Sequence, residues 1–217
     1  MPSLKGGTKC LNRMRPNRKK KINGWADRYQ NFEELSRSED AFRIEHRLVP
    51  NSTWLVAAPH GGNIESRTTE IARAISLAAD VSFYSFRGTK EPDGGDLHLT
   101  SHRFDEPLAL QLAASHPRLL CVHGVLAENG DGAWLIPGGA YQQGLDRLKQ
   151  KLTGLVNLRD QTPQGKRYPG LRPDNLCNRG SSGGGLQLEL SSGLRKQLLS
   201  NPRLLNSFSQ AIAGAIH

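Results

Sequence analysis

The amino-acid sequence predicts an α/β fold, in which helices cover both faces of a mostly parallel β-sheet. Short apolar runs, typical of buried strands, alternate along the chain with segments whose apolar residues recur at helical spacing. This alternation favours parallel pairing, because a parallel connection must return to the same end of the sheet and usually does so through a helix. At 217 residues, the chain fits a single domain with one active-site cleft.

The first 24 residues are predicted to form a basic, disordered tail, and the folded domain is predicted to span residues 25–217. Residues 1–28 carry nine Lys or Arg side chains and one acidic side chain, whereas the rest of the chain has 20 basic and 19 acidic residues. Such a local excess of positive charge is typical of a solvated tail. The net charge of +9 suits nucleic acid, but the near-neutral remainder and the lack of a DNA-binding motif argue against that partner.

The first strand of the core is predicted at residues 54–58, a run of Trp, Leu, Val and Ala. It stops at a Pro-His-Gly-Gly sequence, so His60 is expected in the loop that follows the strand. A helix is predicted at residues 64–75, where apolar side chains recur every three or four positions.

The remaining elements follow from similar patterns. Strict alternation of leucine with Gln187 and Glu189 predicts a strand with one apolar face. Pro107 suits the first turn of a helix that begins at Glu106. The predicted strands are residues 81–86, 119–122 and 186–190, and the predicted helices are residues 106–115, 141–152 and 201–213.

Cysteine content and hydropathy argue against two classes of protein. Cys10, Cys121 and Cys177 form no CxxC pair, so neither a disulfide framework nor a thiolate zinc site is indicated. No run of about 18 apolar residues predicts a membrane span, and no apolar region follows the basic N-terminus. We therefore expect a monomer that is made in the cytoplasm without a signal peptide and does not contact a membrane.

Ionisable residues lie at the ends of the predicted strands. His60 and His123 each follow an apolar run and precede a glycine, and Glu189 lies on the alternating strand. In open α/β sheets the ligand crevice lies at the carboxyl ends of the strands, where these groups could converge. The two glycines after His60 can also turn the chain so that Glu65 faces this histidine.

His60, Glu65 and His123 are therefore candidate zinc ligands. Three protein ligands leave one tetrahedral position open, as in catalytic rather than structural zinc sites. The plain alternative is that both histidines are hydrogen-bonded turn residues and that Glu65 favours a helix N-terminus. For Glu189 the candidate role is the general base of an amide hydrolase, and the alternative is an exposed strand carboxylate.

Several polar residues are candidates for substrate binding. Asn178, Arg179 and Arg195 could bind a substrate carboxylate, since guanidinium groups bind carboxylates through two hydrogen bonds. His98 begins a polar segment that is expected to line the cleft.

Two other patterns carry less weight. Residues 180–184 match the serine-hydrolase motif G-x-S-x-G, but that motif leads from a strand into a helix and here it precedes a strand. His46, His116 and His217 are predicted to be surface residues.

Six segments between Asp27 and Arg195 together form a specific pattern. They are RYQNFEEL at residues 28–35, APHGGNIE at 58–65, LHLTSHRFDEP at 97–107, CVHG at 121–124, NLCNRG at 175–180 and GLQLELS at 185–191. In content and in order, these segments closely resemble the poly-γ-glutamate hydrolase family of bacteriophages and bacteria.

The resemblance implies a zinc carboxypeptidase-like α/β fold with a mixed, mostly parallel sheet, and cleavage of γ-glutamyl amide bonds in capsule polymer. It implies one zinc ion per chain held by His60, Glu65 and His123, with Glu189 as the catalytic carboxylate and arginines that bind the α-carboxylates of the substrate. The basic tail and a longer loop at residues 127–139 depart from the family pattern. The phage relatives suggest release by lysis as the route to an extracellular polymer.

Two alternative functions stay open. A zinc amidase for small acyl-glutamates or peptidoglycan peptides would share the metal site but would need a narrower pocket. A phage nucleic-acid-binding protein would instead use the basic tail, and its salt-dependent DNA binding would vanish when residues 1–24 are removed.

Overall fold

The computed structural model describes residues 27–91, 94–125 and 132–217. The predicted tail, Cys10 and residues 127–131 of the longer loop lie outside the described residues. In chain order, the elements are α1 (Phe32–Ser38), β1 (Phe42–Arg47), β2 (Trp54–Gly62), α2 (Thr68–Ala78), β3 (Ser82–Gly88), α3 (Pro107–Ser115), β4 (Arg118–Val125), β5 (Leu135–Gly138), α4 (Gln142–Leu152), β6 (Leu186–Ser191), α5 (Ser192–Ser200) and α6 (Pro202–Ile216).

The six strands form one mixed sheet in the order β1-β3-β2-β4-β6-β5. The four central strands run parallel to one another, and the two edge strands, β1 and β5, pair antiparallel with their neighbours. The prediction of a mixed, mostly parallel sheet is therefore confirmed. Because the central strands are parallel, their carboxyl ends lie along one edge of the sheet.

Each face of the sheet carries its own apolar core. On the first, which we call the four-helix face, alternate strand residues such as Val122 and Leu188 pack against α2, α4, α5 and α6. On the second face, Leu55 and Cys121 lie in a cluster with Leu35 of α1 and with residues of α3. Helices thus cover both faces, as the alternation of elements predicts.

Three of the element boundaries that differ from the predicted ones lie next to the candidate ligands. The strand predicted to stop before His60 continues to Gly62, and the strand predicted to stop before His123 continues to Val125. The helix predicted from residue 64 begins at Thr68, because Arg67 has a φ of +77° that no helix residue adopts. Both histidines therefore lie within strands rather than in the loops after them.

Four elements, α1, β1, β5 and α5, have no counterpart among the predicted ones, and His116 was wrongly predicted to be exposed. Strand β5 is short, lies in the longer loop and contains Pro137, which an edge position tolerates. Helix α5 begins directly after β6, where the Ser191 side chain accepts a hydrogen bond from Leu194 N and so caps the helix. His116 is buried, and its Nδ1 lies 2.8 Å from the Leu112 carbonyl oxygen.

None of the helices in the described ranges is both long and apolar enough to cross a membrane. Cys121 and Cys177 are buried free thiols.

Candidate active site

His60 lies at a β-bulge that changes which face of the sheet its side chain meets. Ala58, two residues earlier, packs in the core of the four-helix face. The register between β2 and β3 shifts between Ala58 and Gly61, and His60 contacts Leu99 and Phe104 of the second face instead. A regular strand has a two-residue period, so without this bulge His60 would point towards the helices.

A tight turn brings Glu65 back against His60. Gly62 has a φ of +64°, a left-handed conformation that favours glycine, and the Glu65 amide donates to the His60 carbonyl at 2.9 Å. Glu65 Oε1 lies 2.9 Å from His60 Nδ1, while Oε2 accepts a hydrogen bond from the Gly124 amide at 2.8 Å. The two glycines thus place both side chains at one point.

Strand β4 delivers His123 to the same point. The buried His123 ring has its Nδ1 3.3 Å from His60 Nδ1 and 3.6 Å from Glu65 Oε2. Its Nε2 lies 3.3 Å from the hydroxyl of Ser101. The structure therefore brings together all three residues that the sequence nominates as metal ligands.

The arrangement of these three side chains calls for a cation between them. His60 Nε2 lies 2.7 Å from the Leu99 carbonyl, which can only accept, so Nε2 carries the hydrogen. In a neutral imidazole the Nδ1 lone pair then faces the Glu65 carboxylate, and a proton or a metal ion is needed to offset that repulsion. With bonds of about 2.0–2.1 Å, a tetrahedral zinc site has donor atoms about 3.3 Å apart, and the three observed distances of 2.9, 3.3 and 3.6 Å lie around this value.

Burial and charge act in opposite directions on the cluster. Burial alone would raise the pKa of Glu65, but His60 and His123 outweigh it and hold that pKa well below its usual range. Burial would lower the pKa of His123, but Glu65 and Glu189 raise it above its ordinary value. The Glu65 carboxylate is therefore ionised, which is the form that binds a metal.

His98 lies beside the cluster formed by His60, Glu65 and His123. Its ring centroid is 4.2 Å from that of His60, and its Nε2 is 3.8 Å from Glu65 Oε1. His60, Glu65 and His98 are also compact enough to hold a metal ion. We favour His123 over His98 as the third ligand, because its Nδ1 has two donor atoms of the cluster within 3.6 Å.

Glu189 faces the cluster from β6, where it pairs in register with His123. It is only 9% exposed, which excludes the alternative of a solvated strand carboxylate. Burial and the nearby Glu65 charge raise the pKa of Glu189 to about 7, against the opposing effect of His123 and His60. Two buried carboxylates of one site thus have opposite pKa shifts, a pattern that separates a charged ligand from a group able to exchange protons near neutral pH.

Arg195 presents unpaired hydrogen-bond donors. It lies in the first turn of α5, is 4% exposed, and donates from Nη2 to the Val125 carbonyl at 3.2 Å. Its Nε and Nη1 find no partner among the described residues. Burial lowers the pKa of Arg195, while the charges of Glu65 and Glu189 raise it. Buried guanidinium donors are almost always satisfied, so this one is suited to an anionic ligand.

Asn178 and Arg179 differ from Arg195 in that their polar groups already have partners. The Asn178 amide donates to the Gly170 carbonyl at 2.7 Å and to the Arg172 carbonyl at 2.9 Å. Its oxygen accepts from the amides of Gly185 and Ala140. All four hydrogen-bonding positions of Asn178 are used, which speaks against the prediction that it binds substrate.

Arg179 donates to the carbonyls of Asp174 and His102 at 2.9 and 3.3 Å. These contacts connect loops, and among the described residues no contact joins Arg179 to His60, Glu65 or His123. Its role in substrate binding stays a prediction. The G-x-S-x-G segment precedes β6, and Ser182 is exposed in a turn, so it forms no strand-to-helix elbow.

Two residues at the site, Asp27 and Tyr168, were not predicted from the sequence. Asp27 binds the His98 ring through Nδ1 at 2.8 Å. Ser101, which belongs to the polar segment predicted to line the cleft, contacts His123. Tyr168 packs against Val125, Trp134 and Ile136, and burial, together with Glu189 and Glu65, raises the pKa of its phenol. Tyr168 sits in a Pro- and Gly-containing loop that has no periodic pattern. Asp27 and Ser101, however, lie in or beside the segments that carry the family resemblance.

The chain matches a hydrolase family in sequence and a bacteriophage hydrolase in structure. The family model for poly-gamma-glutamate hydrolase matches residues 29–211. The structure of a bacteriophage poly-gamma-glutamate hydrolase superposes with a TM-score of 0.80 at 28% identity, covering 88% of this chain and 97% of that one. A zinc-free structure of YndL superposes with a TM-score of 0.77 at 31% identity, covering 88% and 98%. These superpositions confirm the zinc carboxypeptidase-like fold.

Two Bacillus subtilis proteins show the same relationship in sequence. YoqZ, derived from the SPbeta prophage, is 33% identical over 176 residues, which cover 80% of this chain and 62% of YoqZ. YndL is 36% identical over 179 residues, which cover 79% of this chain and 67% of YndL. The chain thus spans about two thirds of the length of these curated relatives.

Proposed function

The chain belongs to the poly-gamma-glutamate hydrolase family, and we propose that it cleaves γ-glutamyl amide bonds of poly-γ-glutamate with the help of one zinc ion. Family membership makes the protein an amide-bond hydrolase. The observation that carries the finer proposal is the convergence of three metal-binding side chains, His60, Glu65 and His123, with the protonatable carboxylate of Glu189.

His60, Glu65 and His123 would hold the zinc ion. A zinc ion in such a site supplies Lewis-acid polarisation of the scissile carbonyl. The hydrogen bond from His60 Nε2 to the Leu99 carbonyl supports this assignment, because it leaves Nδ1 free to bind a metal. The hydrogen bond from the Gly124 amide to Glu65 Oε2 holds the carboxylate in place.

Glu189 would act as general base and then as general acid. As base it accepts a proton from the attacking water, and as acid it passes a proton to the leaving nitrogen. In the metal-free site burial raises the pKa of Glu189 to about 7, which makes it a carboxylate able to gain and lose a proton near neutral pH. The register of Glu189 with His123 places it on the same side of the sheet as the metal ligands.

Arg195 would bind an α-carboxylate of the substrate. Every unit of a γ-linked polymer keeps its α-carboxylate free, so the substrate presents regularly spaced negative charges next to each amide bond. The unpaired Nε and Nη1 of Arg195 lie on different edges of the guanidinium group, and each can donate a charge-assisted hydrogen bond to a carboxylate oxygen. Arg179 is kept as a second candidate at the edge of the site, without a contact that supports it.

A zinc amidase for small γ-glutamyl or peptidoglycan peptides is the main alternative. It would use the same metal ligands, and the family match is the observation that favours the polymer instead. The nucleic-acid-binding alternative depends on the basic tail, which lies outside the described residues.

All four candidate catalytic and metal-binding residues come from one chain, so we also propose that the monomer is active. We propose lysis as the route by which it reaches an extracellular polymer.

The test combines metal analysis with a polymer assay. The purified protein is expected to contain about one zinc ion per chain and to shorten poly-γ-glutamate, and a γ-glutamyl dipeptide is expected to be a poor substrate. A chelator should abolish the activity and added zinc should restore it. Glu189→Gln should keep the zinc ion and lose roughly 100- to 10,000-fold in kcat. Glu45→Gln on the edge strand β1 serves as the matched control and should be fully active.

Three outcomes would contradict the proposal. One is full activity of the zinc-free protein, and another is full activity of Glu189→Gln. The third is efficient cleavage of the dipeptide with no cleavage of polymer, which would favour the small-substrate amidase.

A further inference from the structure

One surface loop contacts every imidazole of the candidate metal centre. Residues 98–101, which we call the 98–101 loop, precede α3 on the second face of the sheet. The carbonyl of Leu99 accepts from His60 Nε2 at 2.7 Å, and the hydroxyl of Ser101 lies 3.3 Å from His123 Nε2. The loop also supplies His98, whose Nε2 is 3.8 Å from Glu65 Oε1. The position of the loop therefore determines how these rings face the metal.

A single carboxylate, Asp27, holds this loop. Its oxygens accept hydrogen bonds from His98 Nδ1 at 2.8 Å, from the Thr100 amide at 3.0 and 3.1 Å, and from the Thr100 hydroxyl at 3.1 Å. Arg103 Nη1 adds a charged contact at 3.3 Å. The Asp27 side chain is only 4% exposed. Burial would raise the pKa of Asp27, but the bonds from His98 and Thr100 lower it to about 2, so the group is a full carboxylate at neutral pH.

These bonds determine which nitrogen of each ring carries the hydrogen. A carboxylate only accepts, so His98 must donate from Nδ1, and the lone pair of its Nε2 is directed to the side of Glu65. The Leu99 carbonyl has the same effect on His60, whose Nδ1 lone pair faces the cluster. Asp27 thus acts on His98 directly, and on His60 and His123 through the loop that it anchors.

We propose that Asp27 is a positioning residue of the metal centre, which holds the 98–101 loop so that Leu99 and Ser101 orient the two histidine ligands and His98 offers Nε2 to the site. The inference rests on the proposed zinc site but not on the identity of the substrate. Outer hydrogen-bond partners of metal ligands typically change metal affinity by roughly 10- to 100-fold when they are removed. If Asp27 only connected the first described residues to the core, its replacement would change the stability of the protein and leave zinc affinity unchanged.

Glu39 provides a matched control for that distinction. Its carboxylate is also largely buried and also connects separate parts of the same region, through the Tyr29 hydroxyl at 2.7 Å and Lys90 Nζ at 2.6 Å. None of its contacts involves the 98–101 loop. Glu39→Gln therefore removes a comparable carboxylate without touching the site.

The experiment compares zinc dissociation constants of the full chain, obtained by competition with a chromophoric chelator. Asp27→Asn is expected to weaken zinc binding roughly 10- to 100-fold, and to change the visible absorption bands of the cobalt-substituted protein. Glu39→Gln is expected to match the wild type in both measurements, even where its melting temperature falls. Equal zinc affinity and equal cobalt spectra for Asp27→Asn and the wild type would overturn the inference.

A second measurement avoids the risk that Asp27→Asn does not fold. Nitrogen-15 NMR of the zinc-free wild type reports which ring nitrogen of each histidine is protonated. We expect the hydrogen of His98 on Nδ1, and the opposite tautomer at His98 would overturn the inference.

The outcomes separate this inference from the proposed function. A wild type that binds zinc and leaves poly-γ-glutamate intact, with weaker zinc binding in Asp27→Asn, would defeat the proposed function alone. An active wild type with unchanged affinity in the variant would defeat the inference alone. A wild type without zinc affinity would defeat both.

Discussion

Strands β4 and β6 carry the core of the four-helix face on one side and the candidate active site on the other. Leu188 and Val122 point to the helices and are fully buried, while Glu189 and His123 point to the other side and are buried almost as completely. Burial of these side chains is favourable for folding on the first side and unfavourable on the second. Each buried aliphatic side chain stabilises the fold by about 1.5–3 kcal/mol, whereas a buried carboxylate is costly unless a partner offsets it. The strands thus use one face for stability and the other for chemistry.

The largest expected effect is on the active-site face. His123→Ala should reduce hydrolysis to background and weaken zinc binding, because it removes a donor that lies within 3.6 Å of both His60 and Glu65. Polymer viscosity and zinc stoichiometry would measure these losses. His116→Ala is the control, since His116 is also buried but binds only the neighbouring helix turn. Normal zinc content and normal activity of His123→Ala would show that this side of the strands does not carry the chemistry.

The next largest effect is on the four-helix face. Leu188→Ala should lower the free energy of unfolding by about 2–5 kcal/mol, because it leaves a cavity in a fully buried position. Below its melting temperature, the variant should still bind one zinc ion per chain. Urea denaturation measures the change, with Leu188→Met as a volume-conserving control that should cost less than about 1.5 kcal/mol. If Leu188→Ala abolished zinc binding in the folded state, the two faces would not be independent.

A smaller effect concerns the free-energy cost of burying the ionised Glu189 carboxylate. Its folded-state pKa of about 7 lies above the ordinary glutamate value, so the folded protein binds this proton more tightly than the unfolded chain does. The resulting stabilisation is present at low pH and is lost as the pH rises from about 4.5 to about 7. In zinc-free protein, Glu189→Gln should therefore equal the wild type near pH 4.5 and exceed its stability at pH 8 by up to about 3 kcal/mol. A difference in stability that stays constant across this pH range would show that burial does not raise the pKa of Glu189.

The smallest expected effect is at Arg67, where the loop of the active site meets helix α2. Its φ of +77° is unfavourable for any residue with a Cβ. Arg67→Gly should be more stable than Arg67→Ala by about 1 kcal/mol, since both remove the charge but only glycine relieves the strain. Thermal denaturation of the two variants tests this, and equal stabilities would mean that the turn is not strained.

Much of the fold follows from local patterns in the sequence. The alternation around Glu189 predicts both faces of β6, and the apolar runs before His60 and His123 predict two central strands, because burial acts on consecutive residues. The edge strands β1 and β5 were not predicted, since a strand with only one partner needs little hydrophobic pattern.

The candidate site was only partly predictable, for a physical reason that differs between residues. The convergence of His60, Glu65 and His123 follows from parallel strands that end at one edge. The bulge that turns His60 to the second face has no signature beyond its glycines, and the contact between Asp27 and His98 joins segments about 70 residues apart. Asn178 was assigned to the substrate because its type suits that role, but its neighbours in space use all of its hydrogen-bonding capacity.

Because Gly124 has no side chain, the side chains of Arg195 and Glu65 can both lie close to it. No sequence pattern connects these positions. A Cβ at this position would overlap the guanidinium of Arg195 and press against the Cβ of Glu65. Any larger residue at 124 therefore forces Arg195 away from its position against residue 124. In a library randomised at both positions, active variants that keep Arg195 should carry glycine at 124, and variants with other residues at 124 should survive only with a different residue at 195 and a different preference among anionic substrates.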